Sequence, residues 1–178
     1  MNKSFEYVEI DLIPAVGLST TLTTSQHENF VIISSLWKCF NTEIHKIGYR
    51  PPSGKDWEKY GITYSQNHEY CYLAAVRYMD NMLAPSSMVR KNIMPGRYAC
   101  ITHTGKLSSL KSTIYAIYKK LLPQRNISAE SKEKAGLIHF EKYDNRFYWN
   151  RPDSLIEIYV PLETGARNDG EMQTQPSL

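Results

Sequence analysis

The 178-residue chain contains no apolar run approaching the roughly 18 to 20 residues needed to span a bilayer. Its first residues, Met1-Asn2-Lys3-Ser4-Phe5, lack the apolar core of a secretory signal. It therefore reads as a soluble cytoplasmic protein with no membrane partner. Cysteine is scarce: Cys39, Cys71 and Cys100 are odd in number, far apart and form no C-x-x-C pair, which argues against a disulfide framework or a thiolate zinc site. The five histidines, His27, His45, His68, His103 and His139, have no metal-ligand spacing, so neither a metal nor a cofactor is expected. Charge of one sign is also lacking. Lys plus Arg number 21 and Asp plus Glu 18, a net +3 that does not argue for direct nucleic-acid binding. Short basic groups such as Lys119-Lys120 and Lys132 to Lys134 read as solvated faces. Asn126-Ile127-Ser128 spells a glycosylation sequon but has no meaning without secretion.

What the chain has in excess is tyrosine: 13 Tyr and 3 Trp against 5 Phe. A tyrosine is an apolar plate with a hydrogen-bonding tip. Such an excess points to a surface or pocket made for recognition rather than to an ordinary aliphatic core.

Residues 5 to 12 alternate as a strand around Tyr7, Val8 and Ile10. Pro14 interrupts the pattern, and an extended, Thr-rich stretch resumes over 15 to 22. Ser25 and Glu28 have capping-box spacing, and Phe30, Ile33, Trp37, Phe40, Ile44 and Ile47 then form one apolar stripe on a helix of about five turns. Gly48 stops it, and Pro51-Pro52-Ser53-Gly54 is read as a loop. Residues 60 to 65 and 70 to 78 are predicted strands, and 79 to 92 is read as irregular. After Met94-Pro95-Gly96, residues 97 to 103 read as a buried strand. Leu107, Leu110, Ile114, Ile117 and Leu121 then repeat the stripe on a second helix ended by Pro123. Strands over 137 to 143 and 155 to 162 close the pattern, and the polar tail 164 to 178 is expected to be disordered. The order strand, helix, strand, strand occurs twice, about 1 to 92 and 93 to 163, within one domain of 1 to 163. This weak duplication predicts an α+β fold: an antiparallel-rich sheet with both helices on one face. The opposite face, or a cleft between the halves, would be open to a ligand.

Met94-Pro95-Gly96-Arg97-Tyr98-Ala99-Cys100-Ile101, followed by Gly105 and an amphipathic helix, resembles the mid-domain motif of the GyrI-like (AraC-type) effector-binding domains. Phe140-Glu141-Lys142-Tyr143 is similar to that family's penultimate strand, Ile156-Glu157-Ile158-Tyr159-Val160-Pro161-Leu162 to its closing strand, and Tyr72-Leu73-Ala74-Ala75-Val76 to the strand ending its first half. The resemblance covers residues 5 to 163 and implies a duplicated βαββ fold. It also implies a bulky aromatic, often cationic ligand, as for the ligand domains of multidrug-sensing regulators and the integron-cassette proteins. In the regulators a helix-turn-helix precedes the effector domain. Here the pattern begins within the first ten residues, so a standalone module is expected, with any transcriptional or other protein partner separate.

The resemblance makes Glu141 the central candidate, since a glutamate in this strand contacts the cationic ligand in the family. On the residues alone, a glutamate on the exposed face of a strand is the simpler reading. Strand alternation puts His139, Glu141 and Tyr143 on one face, and Tyr70 and Tyr72 share a face of their own strand. Trp57 and Trp149 flank strands, where they either cover a ligand or plug a core edge. The expected ligand-binding set is therefore Glu141, Tyr70, Tyr72, Tyr143, Trp57 and Trp149, with no catalytic residue assigned. Tyr115 and Tyr118 read as helix–sheet packing, Trp37 as core and Glu157 as structural or rim. Leu110 stands where the family pocket carries an aromatic. Cys100 and His103, three apart on a strand, face opposite ways. Two other uses of the family resemblance stay open: a hydrolase with Glu141 as general base and a nearby tyrosine as acid, and an inhibitor of a gyrase-type protein target.

Overall fold

The computed structural model describes residues 5–50, 57–127 and 136–162. The Pro51–Gly54 loop, Ser128, Lys132 to Lys134 and the tail from 164 lie outside these residues. Eight strands are present among the described residues: β1 (Phe5–Ile10), β2 (Ile13–Thr21), β3 (Lys59–Gln66), β4 (Glu69–Arg77), β5 (Val89–Ile93), β6 (Gly96–Thr104), β7 (Leu137–Tyr143) and β8 (Leu155–Pro161). They form one sheet in the order β1-β6-β8-β7-β3-β4-β2-β5, with every described pair antiparallel. The two strand–helix–strand–strand units meet at the β3–β7 seam.

One strand was not anticipated. The stretch read as irregular ends in β5, which pairs with β2 from Ile13↔Ile93 to Gly17↔Val89. Its sequence, Val-Arg-Lys-Asn-Ile, has two charged residues in five, as suits an edge strand with only its last residue buried. Each half is therefore led by one further strand, and that strand pairs with the other half: β1 with β6, and β5 with β2.

This exchange sets the curvature of the sheet. β1 and β2 stand six strand positions apart in the sheet order, as do β5 and β6. In a flat sheet that is about 29 Å at 4.8 Å per strand. Yet only Asp11-Leu12 and Met94-Pro95 connect them, and three Cα steps reach at most about 11 Å. The sheet must curl until its two edges approach, giving an eight-stranded half-barrel. The helix-free face becomes the concave interior and fills with Tyr60, Ile62, Tyr64, Tyr98, Phe140 and Tyr159. Phe140 stacks on Tyr159 with ring centroids 4.5 Å apart. The helix-free face is thus a packed core, and the expectation that it could be open to a ligand is replaced by the cleft on the other side. Much of the tyrosine excess is likewise structural.

Both helices lie on the opposite face, as expected. α1 (Gln26–Glu43) packs on β2 and β4 through Phe40, Ile33 and Leu36, continues as a 3₁₀ turn over Ile44–Ile47, and ends at Gly48, whose φ of 74° suits glycine. α2 (Leu110–Ala116) widens into a π-helical stretch, Ile117–Leu121. The Leu122 amide reaches back five residues to the Ile117 carbonyl, and Pro123 has no amide to carry the helix on. Leu110, Ile117 and Leu122 seat this element on Ile101, Ile156 and Ile158. A buried His103 Nδ1, 2.8 Å from Thr113 Oγ1, fixes it to β6. Cys100 points into the other core, so the two residues do face opposite ways.

Only half of the capping box forms: Ser25 Oγ accepts from the Glu28 amide, whereas the Ser25 amide donates to Thr23 Oγ1, whose hydroxyl donates in turn to Glu28 Oε2 at 2.9 Å. Ser25→Ala is expected to lower stability by about 1 kcal/mol. Thermal unfolding should register this as a fall of roughly 2–4 °C.

Candidate functional site

β7 sits at the centre of the sheet, and its alternation sends Phe140 into the concave core and His139, Glu141 and Tyr143 toward the helices. On the other side of the seam, Gly61 of β3 lies opposite Glu141, and Tyr72 projects from β4 on the same face. A Cβ on Gly61 would stand 2.0 Å from the Tyr72 hydroxyl and 2.5 Å from Glu141 Oε2. The missing side chain is the space in which the carboxylate and the phenol meet. Tyr72 donates to Glu141 Oε2 at 2.8 Å, and Tyr143 donates to the same oxygen at 2.7 Å. The Trp37 indole N–H donates in turn to the Tyr72 oxygen at 3.1 Å. Oε1 accepts no hydrogen bond among the described residues. Since none of their fully buried polar atoms is unsatisfied, Oε1 is the oxygen turned to the cleft.

Glu141 is only 4% exposed. Burial pushes its pKa up, and the Tyr143 and Tyr72 hydroxyls oppose that rise without cancelling it. Burial and the adjacent Glu141 charge hold both phenols well above their ordinary value, so they remain hydrogen-bond donors. The result is a poorly solvated carboxylate whose ionisation gains from any positive group delivered to Oε1.

Three openings share walls and form one cleft between α1 and α2. The central part, about 540 Å³, is lined by Trp37, Tyr72, Glu141, Tyr143, Leu110 and Ile114. One end, about 460 Å³, is walled by Trp37, Trp57, Tyr143, Phe147 and Trp149, with Lys59 bonded to Asn41 at 2.6 Å. The other, about 990 Å³, runs past Glu141 and His139 to Tyr115, Tyr118 and Lys119.

The structure thus brings together five of the six residues expected at the site: Glu141, Tyr72 and Tyr143 at the floor, and Trp57 and Trp149 at one end. Tyr70, two residues along β4 from Tyr72, is 46% exposed and lies outside the walls of all three openings. Trp37, read as core, packs on both helix-side cores but also forms the cleft wall. Tyr115, read as packing, is exposed at the cleft mouth. Tyr118 does pack, donating to the Ile138 carbonyl at 3.0 Å, and forms wall as well. Glu157 lies on the other face with Arg146 (2.6 Å) and Tyr159 (2.6 Å). Burial opposes its ionisation, but these partners hold its pKa low. Gly61 went unnoticed, although a glycine inside a strand pattern signals a close approach.

Two variants test this geometry. Because the folded-state pKa of Glu141 is raised, ionisation favours the unfolded chain. Its contribution is present below the ordinary carboxylate range and is lost as pH rises through the raised value. Glu141→Gln lacks that slope, so its urea-determined stability should gain on the parent as pH rises from the ordinary carboxylate range through the raised value. Gly61→Ala should lose roughly 1–3 kcal/mol through overpacking, and the melting temperature reads it.

The chain matches the GyrI-like small molecule binding domain over residues 3–163. It is 33% identical over 133 residues to the transcriptional regulator BrlR of Pseudomonas aeruginosa, covering 73% of this chain and 46% of that protein. The chain thus spans about half the length of this curated relative. Among solved structures, SAV2435 bound to tetraphenylphosphonium is similar with a TM-score of 0.69 at 12% identity, over 90% of this chain and 94% of that one. The C-terminal domain of EcmrR gives 0.59 at 14% identity, over 92% and 99%. The integron cassette protein VCH_CASS2 of Vibrio cholerae gives 0.53 at 16%, over 89% and 95%. At such identities these likenesses are of fold. The family match, in contrast, runs through both halves, the β3–β7 seam and the cleft above it, and the chain belongs to the GyrI-like small-molecule-binding domain family.

Proposed function

We propose that the cleft is a receptor site for an amphipathic aromatic cation, with Glu141 as counter-ion, Tyr72 and Tyr143 as its hydrogen-bonding supports, and Trp57 and Trp149 as aromatic walls. The observation that carries this reading is the carboxylate itself. It is buried in an aromatic cleft, both phenols act on one oxygen, and the other oxygen is left for a ligand. A bound cation relieves the ionisation penalty, and each aromatic face adds about 0.5–2 kcal/mol of cation–π attraction. That tetraphenylphosphonium, a cation wrapped in four phenyl rings, is bound by SAV2435 supports the same reading here. The likeness to BrlR supports a regulatory use of the bound state, through a transcriptional or other protein partner.

Tetraphenylphosphonium should quench the tryptophan fluorescence of Trp37, Trp57 and Trp149. Glu141→Gln should weaken it roughly 10-fold or more while changing the affinity of neutral triphenylphosphine oxide by less than about two-fold. Equal losses for both ligands overturn the counter-ion role. Tetraphenylphosphonium affinity should rise with pH through the raised Glu141 pKa, because the cation binds the ionised form. Chemical conversion of a bound ligand, read by mass spectrometry, would instead favour a hydrolase with Glu141 as base.

A further inference from the structure

We infer that the ligand this cleft is built for is amphoteric: an elongated aromatic cation that also carries an acidic group, the positive part over Glu141 and the acid directed to Lys111 and Lys119. The inference rests on the proposed receptor function and narrows its ligand class. The two ends of the cleft differ in kind. The tryptophan end holds one ammonium, that of Lys59, already bonded to Asn41 Oδ1 at 2.6 Å. The opposite end holds two, Lys111 on α2 and Lys119 on the π-helical stretch, beside the polar Gln26 and Asn29. Among the described residues, Glu141 is the single carboxylate in its walls and neither ammonium has an ion-pair partner. Lys111 also borders the central part of the cleft, so one molecule can reach it and Glu141 together.

A simple lipophilic cation placed over Glu141 gains from the carboxylate but is repelled by two lysines. A simple anion meets the reverse. A molecule bearing both charges at separate positions is favoured at both places, and its ring system is left for the aromatic end.

Rhodamine B and its ethyl ester test this, since they share one cationic ring system and differ in a free carboxylate. Fluorescence anisotropy on the full chain at low salt should show the acid binding roughly three- to ten-fold tighter than the ester, with the advantage shrinking as salt is raised. The Lys111→Gln/Lys119→Gln double variant should weaken the acid and tighten the ester, a pair of opposite changes that a loss of structure does not produce. Glu141→Gln should weaken both dyes. Equal affinities, an ester preference, or a double variant that moves both dyes alike overturns the amphoteric ligand and leaves the receptor reading standing. Binding of neither dye, or no response of either to Glu141→Gln, overturns the receptor reading itself.

Discussion

Across the β3–β7 seam a glycine faces a glutamate, and the room the glycine leaves is what the rest of the cleft is arranged around. Gly61 contributes no side chain, so the Glu141 carboxylate and the Tyr72 phenol can lie over the strand between them. Their contact is then pinned from two sides, by Tyr143 from the same strand and by Trp37 from α1. One hydrogen-bonded chain therefore ties the first helix to the joint between the two halves. A polar cluster this buried is stable only because its members satisfy one another.

The fold protects this arrangement through the strand exchange. Two-residue connections between distant sheet positions force the sheet to curl, and the concave side becomes a large aromatic core. That core leaves the helix side, where α1 and α2 stand apart over β3 and β7, as the place for a cleft. The tyrosines are sorted by which face of a strand they occupy. Tyr72 and Tyr143 serve the carboxylate, whereas Tyr60, Tyr64, Tyr98 and Tyr159 fill the interior. The carboxylate is held where burial makes its ionisation cost free energy, and the two phenols offset that cost only in part.

Much of the architecture was legible in local patterns. The Ser25 N-cap is a local signal, and the two apolar stripes and the alternating strands report backbone periods of 3.6 and 2, which need no tertiary information. β5 escaped because an edge strand buries so little that its apolar alternation is weak. Trp37 was half understood: its spacing marked it as facing the sheet, but not that its indole N–H would meet a phenol. Tyr70 and Tyr72 share a face, but Tyr70 lies at the start of β4 beside the Asn67-His68 turn and is exposed, whereas Tyr72, two residues further along, is buried.

The sequence by itself determined the order of the elements apart from β5, the duplication, that His139, Glu141 and Tyr143 share one face of their strand, and the aromatic wealth of the chain. These are properties of short stretches, set by side-chain direction and composition. Only the tertiary structure decided which tyrosines reach the carboxylate, that Gly61 makes their meeting possible, and that the sheet's other face is closed. Those outcomes depend on contacts between residues as far apart as Tyr72 and Glu141. They also depend on a curvature imposed by where β1 and β5 pair, which no local pattern encodes.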